Sequence, residues 1–270
     1  MQIRGGDRLD GGVFGDADDF SVLDEVLWEP ISAATLVRSR PQFDELVLDA
    51  CCGAGASALP TAELVGIGGL VDAIDTSEPL VELARDRAGS RLPQLHLSVA
   101  DATTWETVGY DLVQCVLGVF LFDDLDEGVR HLVEAAKPGG RVAVTVWARG
   151  AFDPIPAALA EALRGDTDVP DTDAFAHLVM SEAETPGSLA LWLSGHGLVQ
   201  VRADAVHRHL ELDDDLAWAL VLGTRLRTFV AGLDAEALDQ VRERFVESLR
   251  TREVTSIDVT TLIGVGHRPA

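Results

Sequence analysis

Short apolar segments alternate with segments of helical periodicity between residues 46 and 147 of this 270-residue chain. The apolar segments have the length of strands and lie at 46–50, 70–75, 95–100, 111–117 and 141–147. Helical patterns lie between most of them, at 57–65, 78–88 and 125–136. Because strands that alternate with helices form parallel βαβ units, this region predicts an α/β fold with a Rossmann-like, doubly wound, mostly parallel sheet.

The flanking segments are expected to belong to the same domain, which would span residues 1–270. Residues 1–44 predict an N-terminal helical cover, 45–148 the binding core of the sheet, and 149–197 a lid and helix region. The absence of repeats, low-complexity tracts and linker-like composition favours this single unit.

The C-terminal part, residues 198–270, is expected to supply the final strands. The alternating pattern at 198–212 predicts one long strand, and 257–265 predicts the last one. A helical insertion at 213–250 would precede that last strand. These two strands would complete a seven-stranded sheet.

Composition narrows the range of partners. The formal net charge of −24 disfavours binding to phosphate backbones and to anionic membranes. The three cysteines, Cys51, Cys52 and Cys115, form no CxxC pair and suggest a reducing compartment. No apolar signal core or membrane-length stretch is evident. The sequence therefore predicts a cytoplasmic monomer or homodimer, with no nucleic acid, membrane or metal partner.

A glycine-rich turn, Cys51-Cys52-Gly53-Ala54-Gly55-Ala56-Ser57, follows the first expected strand. Glycines there let the backbone turn sharply and approach a ligand, and open parallel sheets bind ligands at the carboxyl ends of their strands. Gly53 to Ala58 also fits the G-x-G-x-x-A dinucleotide fingerprint, with Asp75 about 20 residues further on. The turn alone is therefore compatible with a nicotinamide-dependent oxidoreductase.

Acidic residues near the strand ends favour a different ligand. Asp49 lies just before the turn, where it would repel a pyrophosphate but suit a ligand with an ammonium and a sulfonium, such as S-adenosylmethionine. Asp101 follows the third strand, where it can accept a hydrogen bond from an adenine amino group. The segment 1–44 also precedes this strand, whereas a dinucleotide-binding strand usually opens its domain, and it could fold over a cofactor.

With these features, the region from about 45 to 147 resembles a class I S-adenosylmethionine-dependent methyltransferase. It is most similar to the small-molecule group that includes the quinone-biosynthesis methyltransferases. The matching segments are 47–49 with 52–55, 74–77 with Leu80 and Ala84, 100–102, and 132–146 around Lys137-Pro138-Gly139-Gly140. Two positions depart from the family pattern: Cys51 replaces a glycine, and Leu80 replaces a common methionine.

The resemblance implies S-adenosylmethionine as cofactor, S-adenosylhomocysteine as product, and a role for each matching position. Gly53 and Gly55 would border the methionine moiety, Asp75 would bind the ribose hydroxyls, and Asp101 with the Ala102 amide would bind the adenine. The complete expected cofactor set is Asp49, Cys51, Gly53, Gly55, Asp75, Thr76, Leu80, Asp101, Ala102, Leu117 and Gly118.

Methyl transfer requires mainly that the acceptor be aligned with the methyl group and that water be excluded. A general base is needed only if the acceptor must lose a proton, and His207 and His209, on one face of the expected strand 198–212, are the candidates. The acceptor is expected to be a small molecule, aromatic or a secondary metabolite, methylated at O, N or C. The candidate acceptor residues are aromatic: Phe14, Phe20, Trp28, Phe120, Phe122 and Trp147.

Two other functions remain open at this point. One is the nicotinamide-dependent oxidoreductase that the fingerprint allows. The other is a cofactor-binding protein that serves a different role, because no fixed catalytic residue marks the methyltransferase reaction.

Overall fold

A computed structural model describes residues 17–164 and 180–270 of the chain. The N-terminal part begins with α1 (Ala17–Ser21), a π-helical turn (Asp24–Trp28) and α2 (Glu29–Ser39). Pro30 lies in the first turn of α2, where its missing N–H removes no helical hydrogen bond. The helix begins where the proline permits it, and Arg40 ends it in a left-handed conformation.

Five strands alternate with three helices in the next part of the chain. The strands are β1 (Leu46–Ala50), β2 (Leu70–Asp75), β3 (Leu95–Val99), β4 (Tyr110–Val116) and β5 (Ala136–Trp147). The helices are α3 (Ala58–Val65), α4 (Glu78–Ala88) and α5 (Leu125–Ala135). Ser77 precedes α4 in an extended conformation, as a cap residue does, but its side chain makes no capping hydrogen bond.

The C-terminal part adds helices and antiparallel strands. The helices are α6 (Ile155–Ala162), α7 (Pro186–Gly195), α8 (Asp214–Leu222) and α9 (Ala235–Thr251), with short 3-10 turns at Val119–Leu121, Ser181–Ala183 and Arg225–Phe229. The strands are β6 (Val199–Val206), β7 (His209–Glu211), β8 (Ser256–Asp258) and β9 (Thr261–His267).

The main sheet has seven strands in the order β3-β2-β1-β4-β5-β9-β6. Strands β1 to β5 run parallel, and β9 is antiparallel to both of its neighbours. This confirms the predicted mostly parallel, doubly wound sheet. The carboxyl ends of β1 to β5 share one edge. After β3 the chain returns to the other side of β1 to form β4, so the strand order reverses beside β1, which is where such sheets bind ligands.

The prediction of one strand at 198–212 is wrong. The segment forms β6, which pairs with β9, and β7, which pairs with β8 in a separate two-stranded sheet. The predicted last strand at 257–265 is divided in the same way, because the chain turns between β8 and β9. In that turn, Asp258 Oδ1 accepts a hydrogen bond of 2.7 Å from the Thr260 N–H.

The segment Lys137-Pro138-Gly139-Gly140 belongs to β5 rather than to a turn before it. The Gly139 N–H donates to the Arg268 carbonyl over 2.9 Å, and the Arg268 N–H donates to the Gly140 carbonyl over 2.9 Å. The C-terminal end of the chain therefore extends the pairing of β5 with β9 through the glycines. Within the described residues, no helix is both long enough and apolar enough to cross a membrane.

Candidate active site

A cavity of about 670 Å3 lies at the carboxyl edge of the sheet. One part, the cofactor half, is lined by the turn after β1 and by the ends of β2 and β3: Cys51, Cys52, Gly53, Ala54, Asp75, Thr76, Ser77, Leu80, Ala100, Asp101, Ala102, Thr103 and Thr104. The other part, the acceptor half, is lined mainly by aromatic and apolar side chains: Phe20, Trp28, Ser32, Phe120, Leu121, Phe122, Trp147, Phe152, Thr224, Arg225 and Leu226.

The turn after β1 places glycines where a side chain would be strained or would clash with neighbouring residues. Gly53 and Gly55 have positive φ values of 51° and 89°, which L residues rarely adopt. A Cβ on Gly55 would lie 2.1 Å from Leu59 Cδ1 and 3.3 Å from Ala84 Cβ. The glycine thus lets α3 and α4 approach each other beside the cavity.

Asp75, at the end of β2, ties the turn to the neighbouring strand. Its Oδ2 accepts a hydrogen bond of 2.9 Å from the Gly53 N–H, and its Oδ1 accepts one of 2.8 Å from the Ser77 N–H. Burial raises the pKa of this carboxyl, while these backbone donors oppose the rise. Each carboxylate oxygen can accept a further hydrogen bond from a ligand in the cavity.

Asp49 lies beneath the turn and is fully buried rather than lining the cavity. Its Oδ2 accepts a hydrogen bond of 2.9 Å from Gln114 Nε2, and Gln114 also donates to Thr61 Oγ1. Desolvation raises the pKa of Asp49 to about 7, although Ser57 and Gln114 act in the opposite direction. Ser57 is near enough to lower this pKa, but no donor reaches Asp49 Oδ1 in good hydrogen-bond geometry.

Asp101 is exposed on the far side of the cofactor half, beside the buried Ala102. The Thr103 N–H and Oγ1 both donate to Asp101 Oδ1, over 2.8 and 2.7 Å. These bonds orient the carboxylate and use one of its two oxygens. The predicted adenine position therefore has an acceptor group held in place by its own loop.

Cys51, which departs from the family pattern, has a φ of 59°, in the left-handed region that favours glycine. Its side chain packs against Gly118, where an added Cβ would lie 2.5 Å from Cys51 Cβ and 2.7 Å from Cys115 Sγ. Leu117 also has a positive φ, of 56°. The cysteine is accommodated because the chain after β4 offers a glycine opposite it.

Two aromatic pairs form much of the acceptor half. Phe20 and Trp28 stack with centroids 4.9 Å apart, and Trp28 Nε1 donates to the Phe20 carbonyl over 3.1 Å. Trp147 and Phe152 meet edge to face at 4.7 Å. Phe20 also reaches the turn, since a Cβ on Gly53 would lie 3.4 Å from Phe20 Cζ. The N-terminal segment thus covers the place where the two halves meet.

The structure brings most of the predicted site residues to this cavity. Those that line it are Cys51, Gly53, Asp75, Thr76, Leu80, Asp101, Ala102, Leu117, Phe20, Trp28, Phe120, Phe122 and Trp147. Asp49, Gly55 and Gly118 lie behind the lining residues, and Phe14 lies outside the described residues. Their roles in binding stay predictions.

The two candidate bases lie elsewhere. His207 and His209 are exposed and do not line the cavity. His207 Nδ1 lies 3.5 Å from Thr260 Oγ1, and His209 pairs with Asp258 in the small sheet. Because the chain leaves the main sheet between them, they do not share a strand face.

The sequence reasoning missed Ser32, Phe152 and the segment 224–226 as lining residues. No local pattern marks them, because they come from three distant parts of the chain. Phe152 has a positive φ of 69°, and this turn after β5 returns its ring to Trp147.

The chemistry of the cofactor half fits S-adenosylmethionine. Asp75, the last residue of β2, and Asp101, just after β3, can accept hydrogen bonds from ribose hydroxyls and from an adenine amino group. The glycine turn leaves room for a ligand to approach the protein backbone closely. Five acidic side chains line the cavity, Asp75, Asp101, Asp123, Asp124 and Glu127, and their charge favours a cationic ligand over a pyrophosphate.

Comparisons with known proteins agree with this geometry. Residues 47–140 match a family model described as a methyltransferase domain. Nocamycin O-methyltransferase of Saccharothrix syringae is 31% identical over 199 residues, 69% of this chain and 69% of that protein. Aklanonic acid methyltransferase DauC of Streptomyces sp. (strain C5) is 36% identical over 132 residues, 47% of this chain and 60% of that protein.

Solved structures share the fold at low sequence identity. The YcgJ protein of Bacillus subtilis has a TM-score of 0.56 and 16% identity, over 89% of this chain and 99% of that one. A phosphoethanolamine N-methyltransferase of Haemonchus contortus, solved with S-adenosylhomocysteine, has a TM-score of 0.54 and 17% identity, over 88% of this chain and 52% of that one.

Proposed function

Because this chain belongs to the class I S-adenosylmethionine-dependent methyltransferases, we propose that it methylates an oxygen atom of a small, largely apolar metabolite. The observation that carries the proposal is the cavity, in which a polar cofactor half adjoins an acceptor half lined by two aromatic pairs. Similarity to an enzyme named as an O-methyltransferase supports oxygen as the acceptor atom.

In the cofactor half, Asp75 would hold the ribose, and Asp101 with Ala102 would hold the adenine. When bound there, S-adenosylmethionine would supply a methyl group activated by its sulfonium, with S-adenosylhomocysteine as the leaving group. Asp75 would also act indirectly, because the hydrogen bonds that it accepts from the Gly53 and Ser77 N–H groups hold the glycine-rich turn in its cofactor-binding conformation.

In the acceptor half, the aromatic pairs orient the acceptor and exclude water. Trp147, at the end of β5, packs edge to face against Phe152, and Trp28 stacks on Phe20. Both pairs present apolar ring surfaces to the cavity. Flat or alicyclic apolar groups fit such surfaces. Alignment of the acceptor with the methyl carbon accounts for most of the catalysis that the reaction requires.

No histidine, lysine or tyrosine occurs among the described residues that line the cavity, so a protein base there would have to be a carboxylate such as Asp123, Asp124 or Glu127. An acceptor oxygen that is already ionised near neutral pH would need no general base. A carboxylic acid or an acidic enol meets this condition. A base role for His207 or His209 stays a prediction that such an acceptor does not require.

Transfer of label from methyl-tritiated S-adenosylmethionine into the small molecules of a bacterial metabolite extract tests the proposal. We expect label in an organic-soluble product that carries an O-methyl group. Release of the label by alkali would identify a methyl ester, and mass spectrometry would identify a methyl ether. Label found only on nitrogen or carbon would contradict oxygen as the acceptor atom. An absence of any transfer, with S-adenosylhomocysteine binding intact, would contradict the proposed substrate class.

A further inference from the structure

Arg225 is an arginine in the wall of the acceptor half. It begins the 3-10 turn Arg225–Phe229, which links α8 to α9. The side chain is half-buried, and its Nη1 donates to the Phe120 carbonyl over 3.3 Å. Its neighbours Thr224 and Leu226 are buried and also line the cavity. The guanidinium is therefore held between the chain after β4 and the helical insertion.

Arg225 is the one cationic side chain among the described lining residues, against five acidic ones. In the segments 17–164 and 180–270, no carboxylate lies within 4.0 Å of its guanidinium. Arg227, two positions on, differs, because its Nη1 lies 2.6 Å from Asp19 Oδ2. Arg227 does not line the cavity.

A guanidinium carries five N–H donors, and a half-buried one needs acceptors for them. The long bond to Phe120 uses one donor, which leaves a planar fork available for a pair of oxygen atoms. The surrounding chain carries a net charge of −24, so an anionic acceptor would be repelled unless a local cation offset this field.

We propose that Arg225 binds an anionic oxygen of the methyl acceptor, a carboxylate or an ionised enol, and so selects anionic over neutral acceptors. This inference rests on the proposed function, because it assigns the acceptor half to the substrate. Arg225 acts as a specificity residue: the ion pair favours the ionised form of the acceptor, which is the form that attacks without a base. The aromatic pairs then hold the apolar body of the same molecule.

Isothermal titration tests the proposal in two stages. Wild type, Arg225→Gln, Arg225→Lys and the matched control Arg227→Gln are first titrated with S-adenosylhomocysteine. Each complex is then titrated with six arenecarboxylates, 2-naphthoate among them, and with the corresponding neutral amides. Circular dichroism and thermal unfolding of each variant report folding.

We expect similar S-adenosylhomocysteine affinity in all four proteins. At least one carboxylate should bind wild type about tenfold or more tightly than its amide, as charge-assisted hydrogen bonds imply. Arg225→Gln should remove this preference, Arg225→Lys should keep part of it, and Arg227→Gln should keep all of it.

Three results would overturn the proposal. The first is a panel in which no carboxylate binds wild type better than its amide, including one in which nothing binds. The second is an equal loss of preference in Arg227→Gln. The third is a loss of S-adenosylhomocysteine affinity in a folded Arg225→Gln variant, which would assign the guanidinium to the cofactor. Failure of wild type to bind S-adenosylhomocysteine would instead refute the proposed function itself.

Discussion

The cofactor half and the acceptor half of the cavity differ in the kinds of groups that line them and in how those groups are held in place. In the cofactor half, the contacts come from backbone groups and carboxylates at the ends of adjacent parallel strands, as in the bonds from Gly53 and Ser77 to Asp75. In the acceptor half, they come from side chains of segments as distant as Phe20 and Leu226. Strand geometry fixes the first half, whereas apolar packing of covering segments fixes the second. The two halves should therefore respond differently to substitution.

The largest expected effect lies in the acceptor half. Phe152→Ala removes a buried ring from its edge-to-face contact with Trp147 and should lower the free energy of unfolding by about 3–5 kcal/mol. Chemical denaturation measures this loss. The affinity of the folded variant for S-adenosylhomocysteine should stay within about twofold of wild type, because the substitution removes no expected cofactor contact. A twofold change corresponds to about 0.4 kcal/mol of binding free energy. A parallel loss of that affinity would show that the halves are not independent.

Asp49 should make stability depend on pH. Its pKa is about 7 in the native state and near the ordinary 3.8 in the unfolded state, so between these values the native state binds a proton that the unfolded state has released. Stability from this group is present below about pH 4 and is lost as the pH rises through 7. The total is a few kcal/mol, at roughly 1.4 kcal/mol per pKa unit.

Asp49→Asn, which stays neutral and can still accept from Gln114, should lack this decline. Relative to wild type, the variant should gain unfolding free energy between pH 5 and pH 8. Denaturant titrations at several pH values give the comparison. A constant difference across that range would mean that Asp49 is ionised in the native protein.

Asp75→Ala should weaken S-adenosylhomocysteine binding by about 1.5–3 kcal/mol, because it removes charge-assisted bonds to the ribose. The sequence alone suggests an effect on binding only. The bonds to Gly53 and Ser77 add an expected loss of stability, because the turn loses its tether. Titration calorimetry and thermal unfolding separate the two effects. Asp86→Ala, on the exposed side of α4, is the control, and equal affinity in both variants would place the ribose elsewhere.

Gly118→Ala should cost about 1–3 kcal/mol of stability through overpacking, since the new Cβ would meet Cys51 and Cys115. Adding Cys51→Gly should recover part of this loss, because it removes one clashing side chain and a non-glycine residue with positive φ. A double-mutant cycle from unfolding data measures the coupling. Simple additivity would mean that the two positions do not share this packing constraint.

The parallel part of the fold is largely readable from the sequence. The bounds expected for β1, β2 and α4 are those observed, because apolar runs, a proline in the first helical turn and a following glycine all act locally. The prediction of one strand at 198–212 is wrong because the alternating pattern continues while the pairing partner changes. A switch from β9 to β8 depends on residues more than forty positions away, which local periodicity does not contain.

The site follows the same division. Asp75 and Asp101 can be assigned from the sequence because they lie at the ends of two strands whose limits the apolar pattern shows. Phe152 and Arg225 could not, because a returning turn and a 3-10 segment in the helical insertion bring them to the cavity. The sequence predicts Asp49 beside the ligand, whereas the pleat of β1 directs its side chain into the buried contact with Gln114.

A crystal structure of the complex with S-adenosylhomocysteine is the most direct test of the division between the two halves. We predict ribose hydroxyls within hydrogen-bond distance of Asp75 and adenine beside Asp101 and Ala102, with the space bordered by Phe152 and Arg225 left open. Electron density for the nucleoside of S-adenosylhomocysteine between the aromatic pairs, or for its amino-acid carboxylate against Arg225, would contradict this assignment.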